Sequence, residues 1–265
     1  MNKDFQGKNE WAIILGGSSG LGLATAKKLA EQGMNICVIH RNLRSQMPEI
    51  EAHFNEIQTH KTAFLSFNFD ALHPEKRSQI IIEINQKLGE KGKIKTLVHS
   101  IAKGNLKPMI AADKPILQNE DFQLTINAMA ISLYDWFQEV FQQKMFAEDA
   151  RIISFTSEGN SKPWQDYGAV SAAKVTLEAI TRNIALDFAK FGIRANCIQA
   201  GVTDTQSLQM ISNSDDIKNH TLRRNPFQRL TTPEDIANVV YLLCKNEASW
   251  INGTIIKVDG GESLQ

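Results

Sequence analysis

The sequence has no surplus of charge of either sign: 29 lysines and arginines meet 29 aspartates and glutamates, for a formal net charge of zero at pH 7. Nucleic acid and anionic membrane surfaces both call for a basic excess, so neither is expected as the main partner. Cysteine is scarce. Only Cys37, Cys197 and Cys244 occur, far apart and each inside an apolar run. With no Cys-x-x-Cys or Cys/His cluster, a zinc site or disulfide framework is excluded and no metal is expected; the thiols read as buried and free, in a reducing compartment. No stretch approaches the ~18 apolar residues of a membrane span, and the apolar run near the N-terminus is too short for a signal peptide. Linkers rich in proline and serine, internal repeats and low-complexity tracts are missing too. One domain over 1–265, in a cytoplasmic enzyme, is the expectation.

What the sequence does contain, from end to end, is an alternation of short β-branched runs with longer helical stretches. WAIIL (11–15), NICVIH (35–40), TAFLSF (62–67), KTLVHS (95–100), RIISF (151–155), RANCIQ (194–199) and TIIKV (254–258) read as strands. Most are continuous apolar runs, as strands covered on both faces must be. Among the helical segments, Leu177, Ile180, Ile184 and Phe188 line one face, and Gly33 reads as a left-handed cap after the first helix. The alternation predicts an α/β, single-domain Rossmann fold: a doubly wound, seven-stranded parallel sheet with helices on both faces. The longest stretch without a strand, 201–232, precedes a helix starting near Pro233. It is expected to place a substrate lid, at about 202–230, over the carboxyl ends of the strands. Leu208, Met210 and Ile211 in that lid suit an acyl chain, and Arg223 and Arg224 suit an acidic carrier protein.

GGSSGLG (16–22) follows the first strand and opens a helix. Gly16, Ser18, Ser19, Gly20, Leu21 and Gly22 are therefore placed to cradle a pyrophosphate. Glycines permit the tight turn, and free backbone N–H groups meet the anion at the positive end of the helix. After the second strand the chain reads VIHRNLRS, without the acid that would hold the ribose hydroxyls of NAD. Arg41 stands there instead, with Arg44 nearby, and a guanidinium suits a 2′-phosphate, so NADP(H) is the expected cofactor. Asp70, ending the third strand, is placed to accept from the adenine amino group.

The glycine motif is followed in order by HSIA (99–102), INA (126–128), the pair Tyr167 and Lys174, AGVTDT (200–205) and VDGG (258–261). With these motifs nearly the whole chain resembles the short-chain dehydrogenase/reductase family. Leu15 replaces the threonine that usually begins the glycine motif. His99-Ser100-Ile101-Ala102 replaces the usual Asn-Asn-Ala-Gly. The His-Ser-Ile run and the Tyr-x6-Lys spacing look like the NADPH-using enoyl-acyl-carrier-protein reductase branch. The resemblance implies cofactor contacts from Ser100, Ile101, Ala102, Lys174, Gly201, Thr203 and Thr205. It also implies catalysis by Tyr167 and Lys174 with support from Ser157 and Asn127, an acyl thioester substrate (possibly on acyl-carrier protein), and a homotetramer. Where many enoyl reductases carry a second tyrosine, ten residues before the first, this chain has Ser157, the place of the catalytic serine in a carbonyl reductase. Of the other tyrosines, Tyr134 and Tyr241 read as helix-packing residues.

Helix geometry bears on the unusual gap. At about 100° per residue, an offset of four residues leaves two side chains about 40° apart, and an offset of seven leaves them about 20° short of two full turns. Either spacing keeps tyrosine and lysine on one face; the axial separation grows from about 6 Å to about 10.5 Å if both are helical. Ketone reduction needs the acid beside the carbon that receives hydride. Reduction of a 2-enoyl thioester puts hydride on Cβ and negative charge on an oxygen two carbons away, so the donor must reach farther. The spacing therefore favours C=C reduction. Ser157 keeps open a 3-oxoacyl-type carbonyl reductase, and a dinucleotide-binding protein without catalysis is the third alternative.

Overall fold

The computed structural model describes residues 3–211 and 214–265. In chain order the elements are β1 (Glu10–Leu15), α1 (Gly20–Glu31), β2 (Asn35–His40), α2 (Met47–Gln58), β3 (Phe64–Asn68), α3 (Pro74–Leu88), β4 (Lys93–His99), α4 (Asn119–Ile126) and α5 (Ser132–Gln142). They continue with β5 (Phe146–Ser157), α6 (Gly168–Asp187), β6 (Ile193–Ala200), α7 (Gln206–Gln209), α8 (Ser214–Arg224), α9 (Pro233–Cys244) and β7 (Ile255–Val258). The seven strands form one parallel sheet in the order β3-β2-β1-β4-β5-β6-β7. The strand order reverses between β1 and β4, and the crevice beyond their carboxyl ends is the place where such sheets bind ligands.

Continuous apolar strands are explained by the two cores they serve. Ile13, Leu15 and Leu97 face a cluster completed by Ile81 and Ile84 of α3, Trp136 and Phe137 of α5, and Leu177 and Ile184 of α6. On the other face, Ala12, Ile14, Ile36 and Val38 pack against Leu29 of α1, Phe54 of α2 and Val240 of α9. Central strands must be apolar on both sides to meet both layers. Cys37, Cys197 and Cys244 are free and buried in these layers. Gly33 follows α1 at φ +90°, the left-handed stop expected of it. Among the described residues, no helix is long and apolar enough to cross a membrane.

Several features differ from the sequence reading. The third strand lies two residues later than 62–67 at its start, because its outward face on the sheet edge is half exposed and lacks an apolar run to mark it. The fifth begins at Phe146, where polar Glu148 and Asp149 hide the pattern. The 202–230 lid is not an open loop. It carries α7 and α8, and Thr203 bridges Thr231 at its base. The longest irregular stretch is instead 100–118, between β4 and α4. It is tied down by Asp121, which accepts from Asn105 (2.5 Å) and Lys107 (2.8 Å).

Candidate active site

At the crevice the glycine-rich turn comes first. Gly16, at φ +82°, has its backbone against Ser100: a Cβ there would lie 2.5 Å from the Ser100 carbonyl oxygen. A Cβ on Gly22 would lie 2.2 Å from the Gly16 oxygen. These two glycines bring turn, helix and β4 into contact, which no larger residue would allow. Ser19 caps α1 without a side-chain hydrogen bond to it. The N–H groups of Gly20, Leu21 and Gly22 open the helix and have no acceptor within it. That is the donor set a pyrophosphate requires, so the chain fits a dinucleotide. Across the cleft Thr205 caps α7, with its methyl 3.5 Å from where a Gly20 Cβ would be. A cavity of about 380 Å³ beside the turn is lined by Ser18, Ser19, Gly20, Asn42, Gln46 and Thr205, linking the turn to the end of β2.

Other residues assigned to the cofactor from sequence are placed less simply. Arg41 is exposed and bonded to Asp70 at 2.7 Å, so the residues read as 2′-phosphate and adenine partners hold each other. Lys103, which the sequence reading passed over, lies 3.6 Å from the same carboxylate. Only its place after HSIA, a motif that ends in the crevice, could have flagged it. The Thr203 hydroxyl donates to the Gly201 carbonyl at 3.0 Å. Gly201 is held by packing: a Cβ would lie 2.3 Å from the Thr231 hydroxyl. Ser100 and Ile101 are half-buried at the end of β4, with Ile101 against the core, and Ala102 and Arg44 are exposed.

Tyr167 is not helical. It caps α6 from outside, with φ −103° and ψ 4°, so the axial separation calculated for two helical residues does not apply to it. Asp166, in the left-handed region at φ +62°, turns the chain so that the tyrosine points inward. Its ring is buried with Ala128, Met129, Val170 and Ala173, and Trp164 and the lid residue Ile211 pack on that cluster. The ring packs closely on Gly159, where a Cβ would lie 2.5 Å from its Cε1. Gly159 was also missed; a glycine two residues after Ser157 was its sequence signal. The Tyr167 and Ser157 hydroxyls are 3.3 Å apart. Burial pushes the phenol's pKa up, partly offset by that hydrogen bond.

Lys174 is buried and donates to the Phe155 carbonyl at 2.6 Å. Burial pushes it down to about 8, while Cys197 and Glu178 pull it back up. An ammonium has three donors, so two are left for other partners. His99 is held neutral, with its pKa lowered to about 3 by burial and then by the charge on Lys174, and its Nε2 lies 2.8 Å from the Ser132 hydroxyl. Asn127 opens a single π-turn, Asn127–Ile131, between α4 and α5; its side chain is exposed. Such turns break the regular helix ladder and recur at functional sites. The structure thus brings Ser157 and Tyr167 together, ties Lys174 to the carbonyl of Phe155 two residues before Ser157, and leaves Asn127 exposed.

Two sequence readings are corrected. Arg224 is not available to a carrier protein. It is nearly buried, bonded to Glu158 and Glu262, because α8 folds its basic end onto the segment after Ser157 and the C-terminal turn. Arg223 is exposed. Tyr134 is 44% exposed and accepts from Gln138, so it does not pack the core. Tyr241 packs edge-on against Phe5 and donates to Asp4.

A family profile described as "Enoyl-(Acyl carrier protein) reductase" matches residues 16–263. A probable 2,4-dienoyl-CoA reductase of Bacillus subtilis is 30% identical over 257 residues, covering 95% of this chain and 96% of that protein. A 3-oxoacyl-[acyl-carrier-protein] reductase of Chlamydia muridarum is 26% identical over 255 residues, covering 96% and 97%. Among solved structures, the Bacillus cereus enoyl-acyl carrier protein reductase with NADP+ and indole naphthyridinone superposes with a TM-score of 0.86 at 24% identity, covering 100% of this chain and 99% of that one. At that identity the likeness concerns the fold.

Proposed function

This chain belongs to the short-chain dehydrogenase/reductase family, and from that premise we propose that it transfers hydride from NADPH to the C=C bond of a 2-enoyl thioester. The observation that carries the reading is the Tyr-x6-Lys pair, with Tyr167 set just outside the helix and Lys174 seven residues on, within it. Bound NADPH would supply the hydride, which goes to Cβ. Tyr167 donates its proton to the thioester oxygen, where the charge develops, so that an enol forms and not a free enolate. Solvent then protonates Cα as the enol O–H proton leaves to water, which restores the carbonyl, and the tyrosinate regains a proton from solvent through Lys174 and water, with Asn127 at the exposed end of that route. Ser157 holds the same oxygen. The ammonium of Lys174 stabilises the tyrosinate and has donors free for the nicotinamide ribose.

Arg41, with no acid at the end of β2, supports NADPH over NADH. The Arg41–Asp70 bond implies that a 2′-phosphate takes Arg41 from Asp70, leaving Lys103 to balance the carboxylate. Met109 and Ile110 of the 100–118 stretch and Met210 of the lid are exposed on the two rims and suit an acyl chain. Of the pair Arg223 and Arg224, only Arg223 is exposed to an acidic carrier. Leu124, Ile131 and Tyr134 on the α4–α5 face and Val175 and Leu186 on α6 are exposed apolar groups that suit a homotetramer.

The rival reading, reduction of a 3-oxoacyl thioester, is favoured by one observation: Ser157 lies beside Tyr167, as a carbonyl clamp would. Of the two relatives described above, one is named a 3-oxoacyl-[acyl-carrier-protein] reductase and the other a probable 2,4-dienoyl-CoA reductase. Purified protein with NADPH and either crotonyl or acetoacetyl thioester, followed at the nicotinamide absorbance, separates them. Oxidation with the crotonyl substrate is expected. Oxidation with acetoacetyl thioester alone would overturn the proposal in favour of its rival, and none with either would favour a dinucleotide-binding protein without catalysis.

A further inference from the structure

Glu178 lies on α6 one turn beyond Lys174 and is only 6% exposed. Its Oε1 accepts from the Thr156 hydroxyl at 2.6 Å and from the Asn160 side-chain amide. Thr156 and Asn160 stand on either side of the segment that holds Ser157 and Gly159. Its neighbour Phe155 is the carbonyl that Lys174 holds. Two residues of one helix, a turn apart, therefore grip 155–160 at three points. A carboxylate buried without a bonded cation is costly, and two hydrogen bonds offset that only in part. A neutral acceptor would hold the segment at lower cost, so the charge itself calls for a role. The cation it faces is Lys174, whose ammonium it stabilises through space.

We infer that Glu178 is a positioning residue of the active site: its carboxylate clamps both ends of 156–160, holding Ser157 and the Gly159 platform against Tyr167, and acts as buried counter-charge to Lys174. The inference rests on Ser157, Tyr167 and Lys174 forming the reacting cluster, and it holds for either thioester. The titratable groups around Lys174 are Glu178 on its own helix, Tyr167 at that helix's start, Cys197 on β6 and His99 on β4. Cys197 and Glu178 both act to raise the Lys174 pKa; burial pushes the Cys197 thiol itself up and holds His99 neutral. Glu178 is the carboxylate among these groups, four residues from Lys174 on the same helix. Removing its charge lowers the pH at which Lys174 loses its proton.

Glu178→Gln tests this with whichever thioester the wild-type protein reduces. We expect kcat to fall about tenfold through loss of charge-assisted clamping, and the alkaline limb of kcat/KM to move to lower pH by on the order of one unit. Thr156→Val, which cuts one clamp bond and keeps the charge, should lower kcat with the limb unmoved. Glu178→Asp should keep the limb near that of wild type. A folded Glu178→Gln protein with kcat and limb within about twofold of wild type would overturn the inference, as would a shifted limb in Thr156→Val. If wild type reduces neither substrate, the functional reading fails separately. The inference is then decided by the pH midpoint of NADPH binding, read by nucleotide fluorescence. A lower midpoint in Glu178→Gln supports it, and an unmoved one overturns it.

Discussion

Tyr167 and Lys174 show how burial sets chemistry at single residues. Tyr167 is buried against Gly159 with its hydroxyl beside Ser157, so it is protonated and aimed at neutral pH. Tyr167→Phe should lower kcat by about 10²-fold or more, the range of a lost general acid, with NADPH affinity little changed. Stopped-flow single turnovers and nucleotide fluorescence check the two halves, and unchanged turnover would remove the donor role. Lys174 makes a prediction with two opposite signs. Its folded pKa, about 8, lies below its value in an unfolded chain, so between the two the unfolded state binds more protons and stability rises with pH. Activity that needs the ammonium falls over the same range. Melting temperatures of wild type and Lys174→Met from pH 7 to 10 should show wild type gaining on the variant as its turnover declines. Parallel melting curves would contradict the shifted lysine.

At the scale of elements, the site depends on how α8 and the C-terminal turn are fastened to β5. Arg224 joins Glu158, the residue after Ser157, to Glu262, which also accepts from the Val202 backbone N–H at 3.0 Å. Both carboxylates are nearly buried, with side chains 10% and 3% exposed, so losing their shared cation leaves Glu262 without a bonded cation in a poor solvent for charge and Glu158 with Lys162 alone. Arg224→Ala should therefore cost about 3 kcal/mol in urea unfolding. It should also expose 202–230 to limited proteolysis ahead of the rest of the chain. A variant that unfolds with wild type and resists cleavage equally would show that the lid is fastened by other contacts. On the opposite rim, 100–118 has no regular structure, but Met109 and Leu117 pack over Gly168 at the start of α6. Both rims therefore pack close to Tyr167: Met109 and Leu117 from one side and Ile211 from the other.

The whole molecule places cofactor and substrate through its strand order. Because the order reverses between β1 and β4, the glycine turn, the HSIA segment and the end of β5 open on one crevice. Arg41→Ala should raise KM for NADPH by an order of magnitude while leaving that for NADH nearly unchanged, as loss of a charge-assisted phosphate contact requires. Initial rates with the two nucleotides check it, and equal effects would undo the preference for NADPH. The apolar groups exposed along α4, α5 and α6 predict a tetramer in sedimentation equilibrium, and a monomer mass would overturn that expectation.

A good part of this was legible in the sequence, because it depends on local pattern. Seven apolar runs separated by helical stretches define a parallel sheet, since only strands covered on both faces read so evenly. Gly16 to Gly22, following the first strand, mark the phosphate turn through backbone freedom that neighbouring residues alone reveal. The pair Tyr167 and Lys174 was visible as a spacing. Its geometry was not: Asp166 turns the tyrosine out of the helix, and a left-handed residue there leaves no periodic trace. Likewise, β3 was set two residues too early because an edge strand lacks the second apolar face. Only tertiary structure decided which charges meet. Arg41 with Asp70, Arg224 with Glu158 and Glu262, and Glu178 with Thr156 and Asn160 join residues from distant parts of the chain, and side-chain pairing across a fold has no period to read. The sequence by itself determined the sheet, the glycine-rich turn and the residue types from which the proposed chemistry is built. Folding determined their partners, because burial and distance act between elements and not along them.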